Sequence, residues 1–371
     1  MGKSTMLLIV VVLPTTTPLL FFLFDGRILL VITPTAPSPL PYLSLPLSQS
    51  ITGKTSEDLV TLYMLQGLKS LYLLLPFAVF LLTLQLTLGS FFTTPGMFKY
   101  IPNKRLFVSE PNPAMFGNPG NLVTSKHWTN KNWLKSRFHF SFAEYYSPDN
   151  TNFGTLRVMN DDLVQPDRGF GTHPHNNMEI CTYIVDGNLT HQDSMGTAET
   201  LSRGAIQFMT AGTGVRHSEH NLNKTEPLRF IQMWIQPRER NLTPNYGSGI
   251  GTFEERHNRF AHLVSDAQNP ISETPVKINQ DVNIFVSEFD AGKDVEFNLK
   301  NGRQAYVLCV EGKGVAVGMD GKPTEQFMLR RHDAGEAYGP STIKFSNTDE
   351  SSAHILIVEM SNDNGGGRTD L

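Results

Sequence analysis

From about residue 121 to residue 360 the chain is written in short β-branched and aromatic runs, cut by Gly, Asn and Asp, with little helical periodicity between them. A first series comprises FHFSFAEYY (138–146), GTLRVMN (154–160), EICTYIVDG (179–187), AIQFMTAG (205–212) and RFIQMWIQP (229–237). A second comprises VKINQDVNIFVSEFD (276–290), DVEFNL (294–299), QAYVLCVEGKGVAVGM (304–319), EAYGPSTIKFSN (336–347) and AHILIVEM (353–360). Strands of this length, separated by turn signals instead of helices, restrict the chain to an all-β sandwich or barrel. Asp186-Gly187 reads as a hairpin turn between TYIV and NLTHQDS. YVLCVEGKGVAV repeats that layout, a weak internal repeat that predicts two similar barrels in tandem. Between the series, EERHNRFAHLVSDA (254–267) reads as a short amphipathic connection.

The segment ahead of the barrels has a different texture. Residues 4–24 carry no charge, and the apolar run 6–13, behind Lys3, has the length of a signal-peptide core. The Pro/Ser-rich stretch 33–50 can only be a loop or linker. Residues 71–92 are again uncharged, and twenty-two such residues would span a hydrocarbon core of about 30 Å as a helix. Pro76 and Gln85 weaken that insertion signal. Three readings fit: a membrane anchor, a removable organelle-targeting leader, or an extension with Met97 or Met115 as the effective start. A packed domain of its own is not expected there. The expected organisation is an apolar extension and linker over 1–120, barrels over 121–270 and 271–362, and a flexible tail over 363–371. The expected location is membrane-anchored or organelle-targeted, or cytoplasmic or nuclear if residues 1–96 are absent or removed.

A net charge of −4 and the lack of a basic stripe argue against direct binding of nucleic acid. The two cysteines, Cys181 and Cys309, sit among apolar β-type residues and read as buried thiols, not a disulfide framework.

The chemistry lies in the placement of the histidines. His173 and His175, in THPHNNMEI, are two apart, so on a strand both project from one face about 7 Å apart. Pro174 between them suits an edge or a barrel rim. His217 and Glu219, in GVRHSEHN, repeat the spacing after the Gly-rich turn AGTG. On adjacent strands the two pairs would offer three nitrogens and one carboxylate to a divalent first-row ion: Fe(II) first, with Mn, Ni, Cu or Zn as alternatives. Three neutral imidazoles and one carboxylate leave such a site about one net positive charge, which favours an anionic chelating substrate. Either pair alone is weak, since such spacings arise by chance on many surfaces. Glu179, four residues after His175, is a rival carboxylate, though about 13 Å further along an undistorted strand. His191, also on an expected inner strand, and His220, on the face opposite His217 and Glu219, read as residues behind the ligands or at the surface, and the remaining histidines as structural. The second series has no paired histidines and would form a metal-free barrel.

The stretches WLKSRFHFSFAEYYSPDN, GTLRVMNDD, GFGTHPHNNMEI, HQDSMG, MTAGTGVRHSEHN and QMWIQP resemble the pirin family, over about 126–360. They look most like the bacterial pirin-like proteins that act as quercetin 2,3-dioxygenases. The resemblance implies a bicupin fold, two tandem double-stranded β-helix barrels, with iron in the N-terminal one at His173, His175, His217 and Glu219. It favours Glu219 over Glu179. It implies ring opening of a flavonol by O₂, with Glu219 as general base toward the 3-hydroxyl. The other activity known in the family implies an iron-dependent co-regulator that meets a protein partner. Family members typically begin near the first barrel, so the long apolar extension, with its candidate span 71–92, is a departure.

Overall fold

The computed structural model describes residues 7–12, 18–24, 27–32, 96–119, 133–320 and 327–362. The chain divides into two units, residues 1–88 and 89–371. In the first, the strands Leu7–Val12, Pro18–Phe24 and Arg27–Ile32 form an antiparallel sheet in sequence order. Only Asp25-Gly26, a two-residue hairpin signal, separates its second and third strands in sequence. The candidate span 71–92 lies outside the described residues. Among the described residues no helix is long and apolar enough to cross a membrane.

The second unit is all-β and holds two barrels of like construction, each a seven-stranded sheet facing a four-stranded one. In the first barrel the small sheet runs Ala198–Ser202, Asn188–Asp193, Val215–Asn221, Arg168–His175. Its large sheet is centred on Ala205–Thr210, Glu179–Asp186, Leu228–Ile235 and Leu156–Val164. In the second, the small sheet runs Asp294–Leu299, Ser341–Asn347, Val315–Met319, Phe327–Leu329, the same order of equivalent strands. Thus the weak repeat is real, but its turn is not a hairpin. Glu179–Asp186 pairs only within the large sheet and Asn188–Asp193 only within the small one, so Asp186-Gly187 turns a corner between sheets. Gly187, at φ +78°, takes the left-handed conformation that this corner needs.

Two further expectations are corrected. FHFSFAEYY is not a strand: the strand is Leu134–Phe138, upstream, and Phe142 and Tyr145 close a tight turn. Within 254–267 only Phe253–Arg256 is helical, capped by the Thr252 and Glu255 box, and Ala261–Asp266 is a strand. Residues 97–109, assigned by composition to the linker, supply two edge strands. Met97–Ile101 pairs with Ala334–Tyr338 of the second barrel, and Phe107–Ser109 pairs with Leu134–Phe138 of the first.

Alternation sorts the side chains. In Glu179–Asp186, Cys181, Tyr183 and Val185 leave the barrel, as do Ile231 and Met233 of Leu228–Ile235. They pack on Val286, Tyr306, Leu308 and Leu356 of the other large sheet, so the two sheets form a shared core. The second barrel's interior is apolar, filled by Phe289, Val295, Phe297, Val307, Ile343, Phe345 and Ile357. The first barrel's interior is apolar at one end, around Trp133, Ile184, Leu189 and Phe230, and polar toward the other. Cys181 and Cys309 are buried free thiols.

Candidate metal centre

The polar half of the first barrel holds the residues that the spacing singled out. Arg168–His175 and Val215–Asn221 are antiparallel neighbours, with His217 opposite His173 and Val215 opposite His175. A bulge between His217 and Glu219 then sets Glu219 opposite Phe170. Gly169 makes the approach close: a Cβ there would lie 2.4 Å from the Glu219 carbonyl oxygen and 2.6 Å from His220 Cα.

The three imidazoles His173, His175 and His217 converge, with ring centroids 4.5–4.8 Å apart. One nitrogen from each lies within 4.8 Å of the others. His173 Nδ1 is 2.8 Å from the Gly171 carbonyl oxygen, which can only accept, so Nδ1 carries the proton and Nε2 presents a lone pair. That Nε2 is 3.0 Å from Nε2 of His217. Burial first, then the charges of the neighbouring histidines, brings both His175 and His217 down to about 3, so they are neutral near pH 7. His217 Nδ1 is buried without a hydrogen-bond partner. Neutral nitrogens converging at this range, one ring short of partners, are a donor set that fits a divalent first-row cation.

Glu219 is buried beside this trio and fixed from the large sheet. Its Oε1 accepts from Gln207 Nε2 at 3.0 Å and Thr182 Oγ1 at 3.4 Å, and its Oε2 accepts from Gln232 Nε2 at 2.9 Å. Glu219 groups with His217 and His191, each offering a ligand atom within 4.8 Å of the others. The predicted set is therefore arranged as a histidine trio and a carboxylate that share His217.

His191, expected on an inner strand and either behind the ligands or at the surface, lies in the interior. It is fully buried, opposite Glu219 in the ladder, and its Nε2 lies 3.1 Å from Asp193 Oδ2. Burial pushes Asp193 up, but the His191 contact and the Thr197 and Met195 backbone N–H groups hold it below the ordinary carboxylate range. The missed signal is His191-x-Asp193, the same i, i+2 spacing as His217-x-Glu219. Glu179 takes no part: it accepts from Thr210 Oγ1 at 2.9 Å and Asn279 Nδ2 at 3.2 Å, and burial raises its pKa. His220 is half-buried on the face away from His217. Both groups of converging ligand atoms among the described residues lie in the first barrel.

Comparison with known proteins places the chain in a family. The family model described as Pirin matches residues 121–235, and that described as Quercetinase C-terminal cupin domain matches residues 264–360. The chain is 44 % identical over 183 residues to quercetin 2,3-dioxygenase of Escherichia coli K12, covering 49 % of this chain and 77 % of that protein. It is 39 % identical over 180 residues to a pirin-like protein of Caulobacter vibrioides, covering 48 % and 76 %. Among solved structures it matches the bacterial pirin YhhW from Escherichia coli in complex with nickel(II). The TM-score is 0.57 at 28 % identity, over 71 % of this chain and 99 % of that one. Two cupin-like barrels in tandem, with family models on both and relatives matched over three quarters or more of their length, make the chain a member of the pirin family.

Proposed function

We propose that the protein is a metal-dependent dioxygenase of the quercetin 2,3-dioxygenase type, with one divalent ion held by His173, His175, His217 and Glu219. The observation that carries this reading is the convergence of three imidazoles beside a clamped carboxylate in the first barrel. Fe(II) is the proposed ion, and the nickel(II) complex of the Escherichia coli relative makes Ni(II) the second choice. When bound, such an ion supplies Lewis-acid and redox chemistry toward a chelating substrate and O₂.

The chain's own residues supply the rest. His173, kept in one tautomer by the Gly171 carbonyl, points a lone pair at the site without reorganisation. His173 and His175 are half-buried, so the centre opens toward solvent on their side, where Trp234 stands edge-on to His175 at 4.8 Å. A flat, anionic flavonol would enter there. Glu219 would accept the flavonol's 3-hydroxyl proton on a carboxylate oxygen, with Gln207 and Gln232 holding the group's orientation as the proton arrives.

The test is O₂ uptake with quercetin by the full chain loaded with Fe(II) or Ni(II), with metal content measured alongside. Uptake is expected, with loss of metal and turnover in His173→Ala and a fall of about 10²–10⁴-fold in Glu219→Gln. No turnover from protein carrying one metal per chain would sink the enzyme reading and favour a metal-dependent partner-binding role.

A further inference from the structure

A second polar cluster lies on the opposite side of the first barrel's large sheet. Alternation along Leu228–Ile235 sends Gln232 toward Glu219 and Arg229 the other way, out to the junction with the second barrel. There Arg229 lines a cleft with Lys135, Arg137, Leu163, Arg331 and His332, residues drawn from both barrels.

The charges in this cleft do not balance. Arg229 forks onto Asp161, Nε to Oδ1 at 2.8 Å and Nη2 to Oδ2 at 2.7 Å, and His332 Nδ1 lies 2.5 Å from the same Oδ2. Lys135 faces Glu110 at 3.7 Å. The guanidinium groups of Arg137 and Arg331 have no hydrogen bond or ion pair among the described residues, and each nearby carboxylate already has a cation of its own: Asp161 has Arg229, Glu110 has Lys135 and Glu311 has Arg203. The other charged layer between the barrels is balanced. Arg203 pairs with Glu311 at 2.7 Å and Glu288 at 3.1 Å, and Arg256 with Glu288 at 2.7 Å, two arginines to two glutamates.

A further observation points to a missing anion. Arg229 is 3 % exposed, yet its Nη1 is buried with no acceptor, an arrangement that forfeits the hydration of a charged N–H for nothing in return. The cleft volume of about 180 Å³ is below the ~300–1,000 Å³ of pockets for drug-sized ligands, which selects a small ion or the charged end of a small molecule.

We infer that this cleft binds a phosphate-type oxyanion, free or as the head of a small phosphate monoester, through Arg229 Nη1, Arg137 and Arg331. Forked guanidinium donors match tetrahedral oxyanions in a way that a point ammonium does not. The site is distinct from the metal centre and stands whether or not the chain is a dioxygenase.

Isothermal titration of the full chain with inorganic phosphate and with glycerol phosphate, at fixed ionic strength balanced by chloride, tests it. Saturable 1:1 binding is expected, weakened at least tenfold in Arg331→Ala and in Arg137→Ala. Lys224→Ala should bind as wild type, because that exposed ammonium pairs with Asp167 away from the cleft. In the absence of phosphate Arg331→Ala should melt no lower than wild type, since its guanidinium has no partner to lose; weaker binding then cannot be misfolding. Tighter binding of glycerol phosphate identifies a monoester as the ligand, and tighter binding of inorganic phosphate identifies the free ion. The absence of saturable binding, or wild-type affinity in Arg331→Ala, overturns the inference.

Discussion

Glu219 is held by three side chains that rise, one each, from the centres of three apolar strands: Thr182 in EICTYIVD, Gln207 in AIQFMT and Gln232 in RFIQMWI. A lone polar residue in a buried apolar run needs a partner, and here the partners are one another and the carboxylate. Replacing Gln232 by Leu removes the amide on Oε2 and should weaken metal binding about 10–100-fold, read by competition with a chelating dye. Unchanged affinity would show that the clamp does not orient the ligand. Asp162, also facing the interior, is pushed up to about 8, first by burial and then by the charges of Asp161 and Glu219, against a contact from Ser136. Folding therefore takes up a proton between the unfolded value near 3.8 and about 8. The stability this contributes is complete below that window and is lost as pH rises through it, at up to about 1.4 kcal/mol per pH unit. Asp162→Asn carries no such proton, so in urea denaturation it should gain on wild type from pH 5 to pH 8. An equal difference at both pH values would refute this. The metal-site histidines were legible because i, i+2 spacing is a local rule. The clamp was not, because nothing local says which way Gln207 and Gln232 point.

At the level of elements, the site depends on how closely two strands run. The bulge that brings Glu219 opposite Phe170 leaves no room for a side chain at Gly169, where a Cβ would meet Glu219 and His220 backbone at 2.4 and 2.6 Å. Gly169→Ala must push Arg168–His175 away from Val215–Asn221, at a cost of about 1–3 kcal/mol, and misalign His173 with His217. It should lower both the melting temperature and the metal stoichiometry. Gly318→Ala, at a strand position with open space around it, should change neither. If the two substitutions behave alike, strand spacing does not set the site. The strands themselves were mostly readable from β-branched runs, and the misread turns have one cause. A Gly turn between two strands signals a reversal but not whether the strands pair. At Asp186-Gly187 and again at the Glu311–Gly314 turn, the chain leaves one sheet for the other. Likewise FHFSFAEYY has a strand's composition, but Asn150 and Ser147 draw Ser141 into a loop of side-chain-to-backbone bonds.

Across the whole molecule, one topology is used twice with different fillings. Where the first barrel has His173 and His217 opposed across its small sheet, the equivalent strands of the second oppose Val295 with Phe345 and Phe297 with Ile343. The second barrel thus packs a mainly apolar interior, while its large sheet covers the back of the sheet that clamps Glu219. Tandem construction was legible from a twelve-residue repeat, but the outer edges were not, because an edge strand needs only a few residues and carries little pattern. Met97–Ile101 closes the second barrel's large sheet: Phe98, 7 % exposed, lies over Gly335, where a Cβ would come within 2.1 Å of its ring, and Tyr100 donates to Asp333 Oδ2 at 2.9 Å. Burial of that ring and this hydrogen bond together contribute about 3 kcal/mol, or roughly 6–12 °C in melting temperature. A chain beginning at residue 96 should therefore melt that much higher than one beginning at residue 111, the latter lacking both Met97–Ile101 and Phe107–Ser109. The shorter chain also uncovers the hydrogen-bonding edge of Ala334–Tyr338, so it should associate in a concentration-dependent way, visible by light scattering. Equal melting of the two chains, with both monodisperse, would mean that residues 97–109 decorate the barrels without completing them.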